Sequence, residues 1–533
     1  MSYKKQIFAI RYGSGGLHTD DPQGLIPPHK LTRAINVNLE NGRIKKEGGS
    51  IRWNAEAQLP TGVKQFIDWH PDGITQRLIV VGEDGKVYRF KDAYNFSEVT
   101  AVGGAPETLN ISGTVMIVKG GQEESGNNRK LFIFTGNNPI QVISGDGTTR
   151  TDISNGATDW SGNNQPTFGI IHRNRLWAFG NDNDPHRAYA SGTTDQEDFT
   201  SSPLQFSIYP GVSERLITGI VYKKRLFFMK NPLGAFILDD TSITVANWTI
   251  SQTHKSFGAA SPKSIVPVLD DVLVANSFGS ITSVKAAERT DDIVTGDIFS
   301  SMRVQDFLDN EINKLGLLTR EAIYYADQRV VFITYQSAGN FVVDRICRID
   351  FNRPEPIITW TDKDLPNCLE FIEDIQRVKK PAYGATDGYI YLMDRKDFNV
   401  GGSGYRAEFW TPILDFGTAN MVTSEQNKNF NHLELIYEPT GEFNLTVDIY
   451  IDLILSETVT FDLSGNSELD EMVLDDPIEG RLDPGAQLSQ KRQIGGKGRR
   501  IQLKCYNEGN GESFTVNGFN IYYSGSSQQQ LEK

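Results

Sequence analysis

Arg173-Asn174-Arg175-Leu176-Trp177-Ala178-Phe179-Gly180 and Lys223-Lys224-Arg225-Leu226-Phe227-Phe228-Met229 share one plan: a charged or small polar turn, then a short apolar run. The plan also reads upstream at Gln76-Arg77-Leu78-Ile79-Val80-Val81-Gly82 and at Arg129-Lys130-Leu131-Phe132-Ile133-Phe134. Looser copies follow at Asp270 to Ala275, Asp327 to Ile333 and Thr386 to Met393. Counted from Leu78, Leu131, Leu176, Leu226, Val272, Val330 and Tyr389, the spacings are 53, 45, 50, 46, 58 and 59. Most copies are flanked by further apolar strands, and Asp84-Gly85 supplies a hairpin turn between two of them. Strand–turn–strand units recurring every ~40–50 residues are the pattern of β-propeller blades. A propeller avoids open sheet edges by letting strands from both ends share a blade, so these hairpins predict six or seven blades. No long window keeps a 3.6-residue period without Gly or Pro, so little helix is expected.

Two regions fall outside the period. Residues 1–56 hold turn-rich extended segments (Gly15 to Pro28) and a hairpin from Ala34-Ile35-Asn36-Val37-Asn38-Leu39 through Asn41-Gly42 to Arg43-Ile44-Lys45-Lys46. They read as an arm along the rim. The Gly401-Gly402-Ser403-Gly404 linker is followed by longer alternating strands, such as Phe443 to Ile451 and Phe514 to Tyr523. Strict period-2 alternation argues a two-sheet sandwich. The expected organisation is all-β: an extended arm (1–56), a β-propeller (57–400), a C-terminal β-sandwich (401–523) and a polar flexible tail (524–533).

The 533 residues carry 53 Lys and Arg against 67 Asp and Glu, a net charge of −14. An acidic chain is poorly suited to gripping nucleic acid through phosphates, which needs clustered cations. No apolar run is long enough to cross a membrane, so no insertion is expected. No cleavable leader is legible at Met1 to Gly16. Cys347, Cys368 and Cys505 are few and far apart, which fits buried free thiols better than disulfides.

No nucleophile elbow, phosphate-binding Gly-rich loop or HExxH motif occurs, and the seven histidines lack ligand spacing. The expectation is a protein that is not an enzyme, with no catalytic residues, metal or cofactor. Four decoys carry bland readings. Ser144-Gly145-Asp146-Gly147-Thr148-Thr149 is like a sialidase Asp-box but reads as a hairpin turn. Asn181-Asp182-Asn183-Asp184 lacks the distal Glu of an EF-hand loop. Asp68-Trp69-His70 with Glu83-Asp84-Gly85 is like one blade of a WD40 scaffold, without later Trp-Asp copies. Trp69, Trp160, Trp177, Trp248 and Trp360 could hold a host glycan on a propeller face, yet strand-borne aromatics are more often core.

Charge is segregated near the C-terminus. Glu442 to Asp483 holds twelve acidic residues, Asp475 and Asp476 among them, against the single base Arg481. Lys491, Arg492, Lys497, Arg499, Arg500 and Lys504 then follow with no acid between them. The segregation reads as a solvated loop and hairpin, or as complementary contact between subunits that fixes their register.

The stretch Gly15-Gly16-Leu17-His18-Thr19-Asp20-Asp21-Pro22, running on through Ala34 to Leu39 and Gly42-Arg43-Ile44-Lys45-Lys46-Glu47-Gly48-Gly49, resembles the opening of a bacteriophage family. Its members are the nozzle, tubular and packaged-DNA stabilisation proteins of short-tailed phages. The blade strands at Arg173 to Gly180 and Lys223 to Phe228, and the run Gly498 to Asn507, are similar to that family too. His18 and Asn38 depart from its pattern. The resemblance implies a structural virion protein of the tail, made and assembled in the host cytoplasm. It implies a homohexameric ring below the portal and adaptor, in contact with other tail proteins. Viral DNA would be retained there and pass during ejection without specific binding. The rival is a receptor- or glycan-recognising propeller, or a WD40-like scaffold.

Overall fold

The computed structural model describes residues 6–12, 16–40, 42–120, 129–162, 164–201, 204–210, 213–255, 257–286, 297–298, 303–313, 320–353, 355–374, 377–416, 426–464 and 488–525. Six small sheets stand in a ring as the free-standing blades of a β-propeller. Their innermost strands are Val63–Trp69, Met116–Lys119, Phe168–His172, Arg215–Tyr222, Ile265–Val268 and Cys368–Glu373. The gap between the fifth blade and the last is filled by Ala322–Tyr325, Val330–Tyr335, Arg345–Asp350 and Ile357–Thr361. This seventh, blade-like sector belongs to a larger nine-stranded sheet. Innermost strands follow one another round the axis, and Cys368–Glu373 packs back on Val63–Trp69 to close the circle.

The repeat marks the second strand of each sector. Leu78, Leu131, Leu176, Leu226, Val272 and Val330 all lie there. Neighbouring sectors cover both faces of that strand, so Leu131–Phe134 and Val330–Tyr335 are buried at every position and read as unbroken apolar runs. In the third and fourth blades the polar pair before this strand is a two-residue turn in the left-handed region: Arg173 and Asn174 at φ 47° and 59°, Lys223 and Lys224 at 49° and 65°. Tyr389 is the exception. It borders the third strand of the last blade, Ile390–Arg395, because the second strand, Lys379–Gly384, opens on two lysines and a proline.

Blade-to-blade packing uses a glycine as a socket. A Cβ on Gly169 would meet the Phe134 ring at 2.3 Å, and one on Gly219 would meet the Phe179 ring at 3.2 Å. In both cases the last aromatic of one blade's second strand seats against the inner strand of the next.

The N-terminal region is not a separate arm. Gln6–Arg11 pairs with Thr515–Gly525, and Val37–Glu40 with Arg43–Lys46 forms the expected hairpin inside the same seven-stranded sheet. Gly49–Arg52 is the outermost strand of the last blade, pairing with Ile390–Arg395, so a strand from near the chain start closes the ring. Arg33–Ile35 runs parallel to Ile357–Thr361 and antiparallel to Ala407–Trp410. This short strand splices the seventh sector to the sandwich strands Ala407–Trp410, Ile501–Asn507, Asn444–Ile451 and Ile454–Asp462, making one nine-stranded sheet. The seven- and nine-stranded sheets enclose a common core with Leu433, Leu435, Val447, Leu503 and Phe519.

The chain crosses between these two sheets at Asn36, buried and left-handed at φ 55°. Its amide donates to Asp362 Oδ1 and Arg406 O, each at 2.6 Å, and its carbonyl accepts from Asp362 N at 3.0 Å. The Gly401–Gly404 stretch is a packed turn: Gly401 N donates to Ser50 O at 2.8 Å, and Asn510 donates to Gly402 O at 3.0 Å. The expected boundaries at 56 and 401 therefore cut through shared sheets. The tail 524–533 lies outside the described residues beyond Gly525. All three cysteines are buried and unbridged.

Candidate functional site

The propeller axis holds a cavity of about 540 Å³. Ile67, Ile117, Ile170, Ile220, Val266 and Ile323 make its wall apolar. The alternation of each inner strand turns one residue in two toward the axis. Lys119, Lys263, Glu321 and Glu370 are its charged lining. Lys263 Nζ sits 3.1 Å from Glu321 Oε1, and the backbone N–H of Leu369 donates to Glu321 Oε2 at 2.6 Å. One carboxylate thus stitches the fifth blade, the seventh sector and the last blade. Burial pushes the Glu370 carboxyl up, while Lys119 and the N–H of Phe371 pull it back.

Each end of this tunnel opens into a smaller hollow. At the end where the inner strands start, about 270 Å³ is lined by Lys64, Lys263, Arg320, Glu321 and Asn367. Arg320 is buried over the Tyr335 ring at 4.1 Å and donates through Nη1 to Gly279 O at 3.1 Å. Its Nη2 has no hydrogen-bond acceptor, and burial lowers its pKa. At the other end, about 320 Å³ is lined by Trp69, His70, Lys119, Arg129, Glu373 and Lys379. Glu373 lies 3.3 Å from His70. These cations are scattered along the sequence between positions 64 and 379, and closure of the ring brings them together.

The basic residues predicted as a subunit contact do not form one patch. Lys491 and Arg492 are exposed on the sheet-edge strand Leu488–Gln493, with Lys491 Nζ 3.7 Å from the Tyr522 ring centre. Lys497 is exposed on the short strand Lys497–Gly498, and Arg499 and Arg500 are exposed just after it. There Asp452 accepts the backbone N–H groups of Arg499 and Arg500, each at 3.0 Å, leaving both guanidinium groups outside. Lys504 departs from the group. It lies on the outer face of the nine-stranded sheet, its ammonium held between the Trp410 and Tyr450 rings at 4.1 Å from each. Asp475 and Asp476 lie outside the described residues. The Asp452–Leu453 turn beside Arg499 raises an exposed apolar tip, Leu453, Ile454 and Leu455.

The decoys resolve as follows. Asp146 accepts from Thr148 Oγ1 at 2.7 Å inside a hairpin turn. Asp182 is 2.6 Å from Arg215, and Asp184 is 3.8 Å from Arg187, so the Asn181–Asp184 carboxylates turn to separate arginines. Asp68 ties the first blade to the last, accepting from Glu373 N at 2.7 Å and from Gln76 at 2.8 Å. Trp69, Trp177 and Trp360 are buried, and half-buried Trp160 and Trp248 pack on Phe199 and Phe206. These five tryptophans do not build an exposed aromatic platform.

The fold defines a β-propeller protein with a β-sandwich built onto it. No family model and no curated protein matches the sequence. Among solved structures it is similar to BBS1N crystallised with ARL6DN, at TM-score 0.38 and 9% identity over 66% of this chain and 97% of that one. It is similar to Raptor from Chaetomium thermophilum at TM-score 0.39 and 10% identity, over 69% of this chain and 30% of that one. An exo-beta-1,3-galactanase from Phanerochaete chrysosporium matches at TM-score 0.28 and 8% identity, over 90% of this chain and 100% of that one. Likenesses of this depth carry no function to this chain. No helix among the described residues is long and apolar enough to cross a membrane.

Proposed function

We propose that this chain is a structural component of a short-tailed bacteriophage tail. In this reading it is one subunit of a hexameric ring that forms the lower tail channel, below portal and adaptor, and that retains DNA and passes it during ejection. The observation that carries the reading is the segment resembling the opening of that family. Its residues form the joint of the molecule: the splice Arg33–Ile35, the crossover at Asn36, the hairpin to Lys46, and Gly48-Gly49. A Cβ on Gly48 or Gly49 would meet backbone oxygens of Arg395 and Asn399 at 2.6 and 2.0 Å, so only glycine fits there.

Net charge supports a passage rather than a grip, because an acidic wall repels phosphate and lets DNA slide. The tunnel inside one propeller is far too small for a duplex whose major groove alone is about 12 Å wide. DNA would therefore run through the lumen between copies. The exposed edge strand Ile454–Asp462, the Leu453–Leu455 tip and the basic turn at Arg499 and Arg500 are surfaces for a neighbouring copy.

The test is the mass and negative-stain image of the purified chain, alone and with tail partners. A closed ring around a lumen, alone or on an adaptor, is the expected result. A chain that stays monomeric with every partner and binds host glycans would overturn the reading.

A further inference from the structure

The chain is acidic, yet the axis of its propeller is not. Lys64 and Arg320 stand at one mouth of the tunnel, and Lys119, Arg129 and Lys379 at the other. None of these five has a carboxylate within ion-pair distance among the described residues, whereas Lys263 and His70 are matched by Glu321 and Glu373. Glu370 on the cavity wall and Asp68 lie within electrostatic reach of Lys119 without an ion-pair contact. Lys119, Arg129 and Lys379 are exposed and Lys64 is half-buried, so water screens part of their mutual repulsion, and an anion seated among them would relieve the rest. Arg320 is the buried member of the set: its guanidinium lies against Tyr335 and donates to Gly279 O, and its other terminal nitrogen is shielded from solvent with no acceptor, so it adds positive charge behind this mouth. Between the mouths the wall is apolar, and its volume of about 540 Å³ is that of a small-molecule site.

We propose that the axial tunnel binds a linear dianion, a small ligand with an oxyanion group of the carboxylate or phosphate class at each end of an apolar stretch. Lys64 takes one end, with the charge of buried Arg320 behind it, and Lys119, Arg129 and Lys379 take the other. The isoleucine wall takes the middle. The site does not depend on the tail reading, since the tunnel lies within one chain.

Isothermal titration of the full chain tests it with three probes: decanedioate, decanoate and inorganic phosphate. Decanedioate is expected to bind saturably and at least about tenfold more tightly than decanoate, with an affinity that falls as salt rises. Lys119→Gln and Lys64→Gln, at opposite mouths, are each expected to weaken decanedioate about tenfold with the circular dichroism unchanged. Equal binding of decanoate and decanedioate, unmoved by either substitution, would mean an apolar cavity alone and overturn the proposal. Saturable phosphate binding without decanedioate binding would mean an anion site at one mouth and overturn the two-ended ligand. No saturable binding of any probe would overturn it outright.

Discussion

Ser50 donates its hydroxyl to Asp364 Oδ1 at 2.6 Å, fastening the strand that closes the last blade to the loop entering that blade from the seventh sector. Both residues are fully buried. Lys363 Nζ lies 2.6 Å from Asp364 and 3.7 Å from Glu47, and Glu47 also bonds Thr361 and, through its carbonyl, Tyr405. Burial works against the Lys363 charge, but Asp364 and Glu47 carry its pKa upward overall. Asp364→Ala leaves that ammonium buried with one partner fewer, and a cost of about 3–5 kcal/mol is expected. Ser50→Ala removes one hydrogen bond to a charged acceptor, for about 1.5–3 kcal/mol. Urea unfolding followed by circular dichroism checks both, through lower midpoints at unchanged slope.

The Phe134–Gly169 socket predicts a coupled pair. Gly169→Ala forces a methyl against the ring, and overpacking of this kind costs about 1–3 kcal/mol. Phe134→Leu should lose packing alone but recover part of the loss when combined with Gly169→Ala. A double-mutant cycle on unfolding free energies measures this. Simple additivity would show that the backbone shifts instead.

His172 joins the third blade to the fourth, its Nε2 2.8 Å from Asp240 Oδ2 in a buried contact that Arg173 also reaches at 3.2 Å. Burial lowers the imidazole pKa, and the Arg173 charge adds to this against the pull of Asp240. Because the folded value lies below the unfolded value of about 6.5, the contribution is whole above pH ~6.5. As pH falls toward and through the folded value, the unfolded chain takes up the proton first and this stability is lost. The expected result is a melting temperature that declines on acidification from pH 7 to 5, with a shallower decline in His172→Gln.

Arg499→Glu with Arg500→Glu should separate assembly from folding. Both side chains are exposed and Asp452 holds only their backbone, so unfolding should move by no more than about 0.5 kcal/mol. The proposed ring should form less readily in mass photometry at low salt, with a smaller difference at high salt, where screening already blunts the contact. Lys504→Ala should do the reverse. It loses two ring contacts, at about 0.5–1 kcal/mol each, and leaves assembly unchanged.

The propeller was legible in the sequence because burial on both faces turns each second strand into a bare apolar run behind a charged turn. The last blade hid its second strand because Lys379, Lys380 and Pro381 sit where that run should be. Residues 1–56 suggested an arm because nothing local in Gln6–Arg11 announces a partner some five hundred residues away. The basic run from Lys491 was visible as a run, but only the sheets show that Lys504 faces elsewhere. The axial cations carry no local motif, since they come from four sectors of the ring: Lys64 from the first blade, Lys119 and Arg129 from the second, Arg320 from the seventh sector and Lys379 from the last blade. Their grouping is a property of closure.

The splice at Arg33–Ile35 also decides how load travels. A hinge between propeller and sandwich would let one swing while the other stays still. Here a single hydrogen-bonded ladder runs from Ala322–Tyr325 to Ile454–Asp462, so a pull on the sandwich arrives at the propeller as shear along paired strands. Rows of ladder bonds share such a force, where a tether would pass it through one chain. The molecule is in this respect a bracket, with its angle set by the register of three residues.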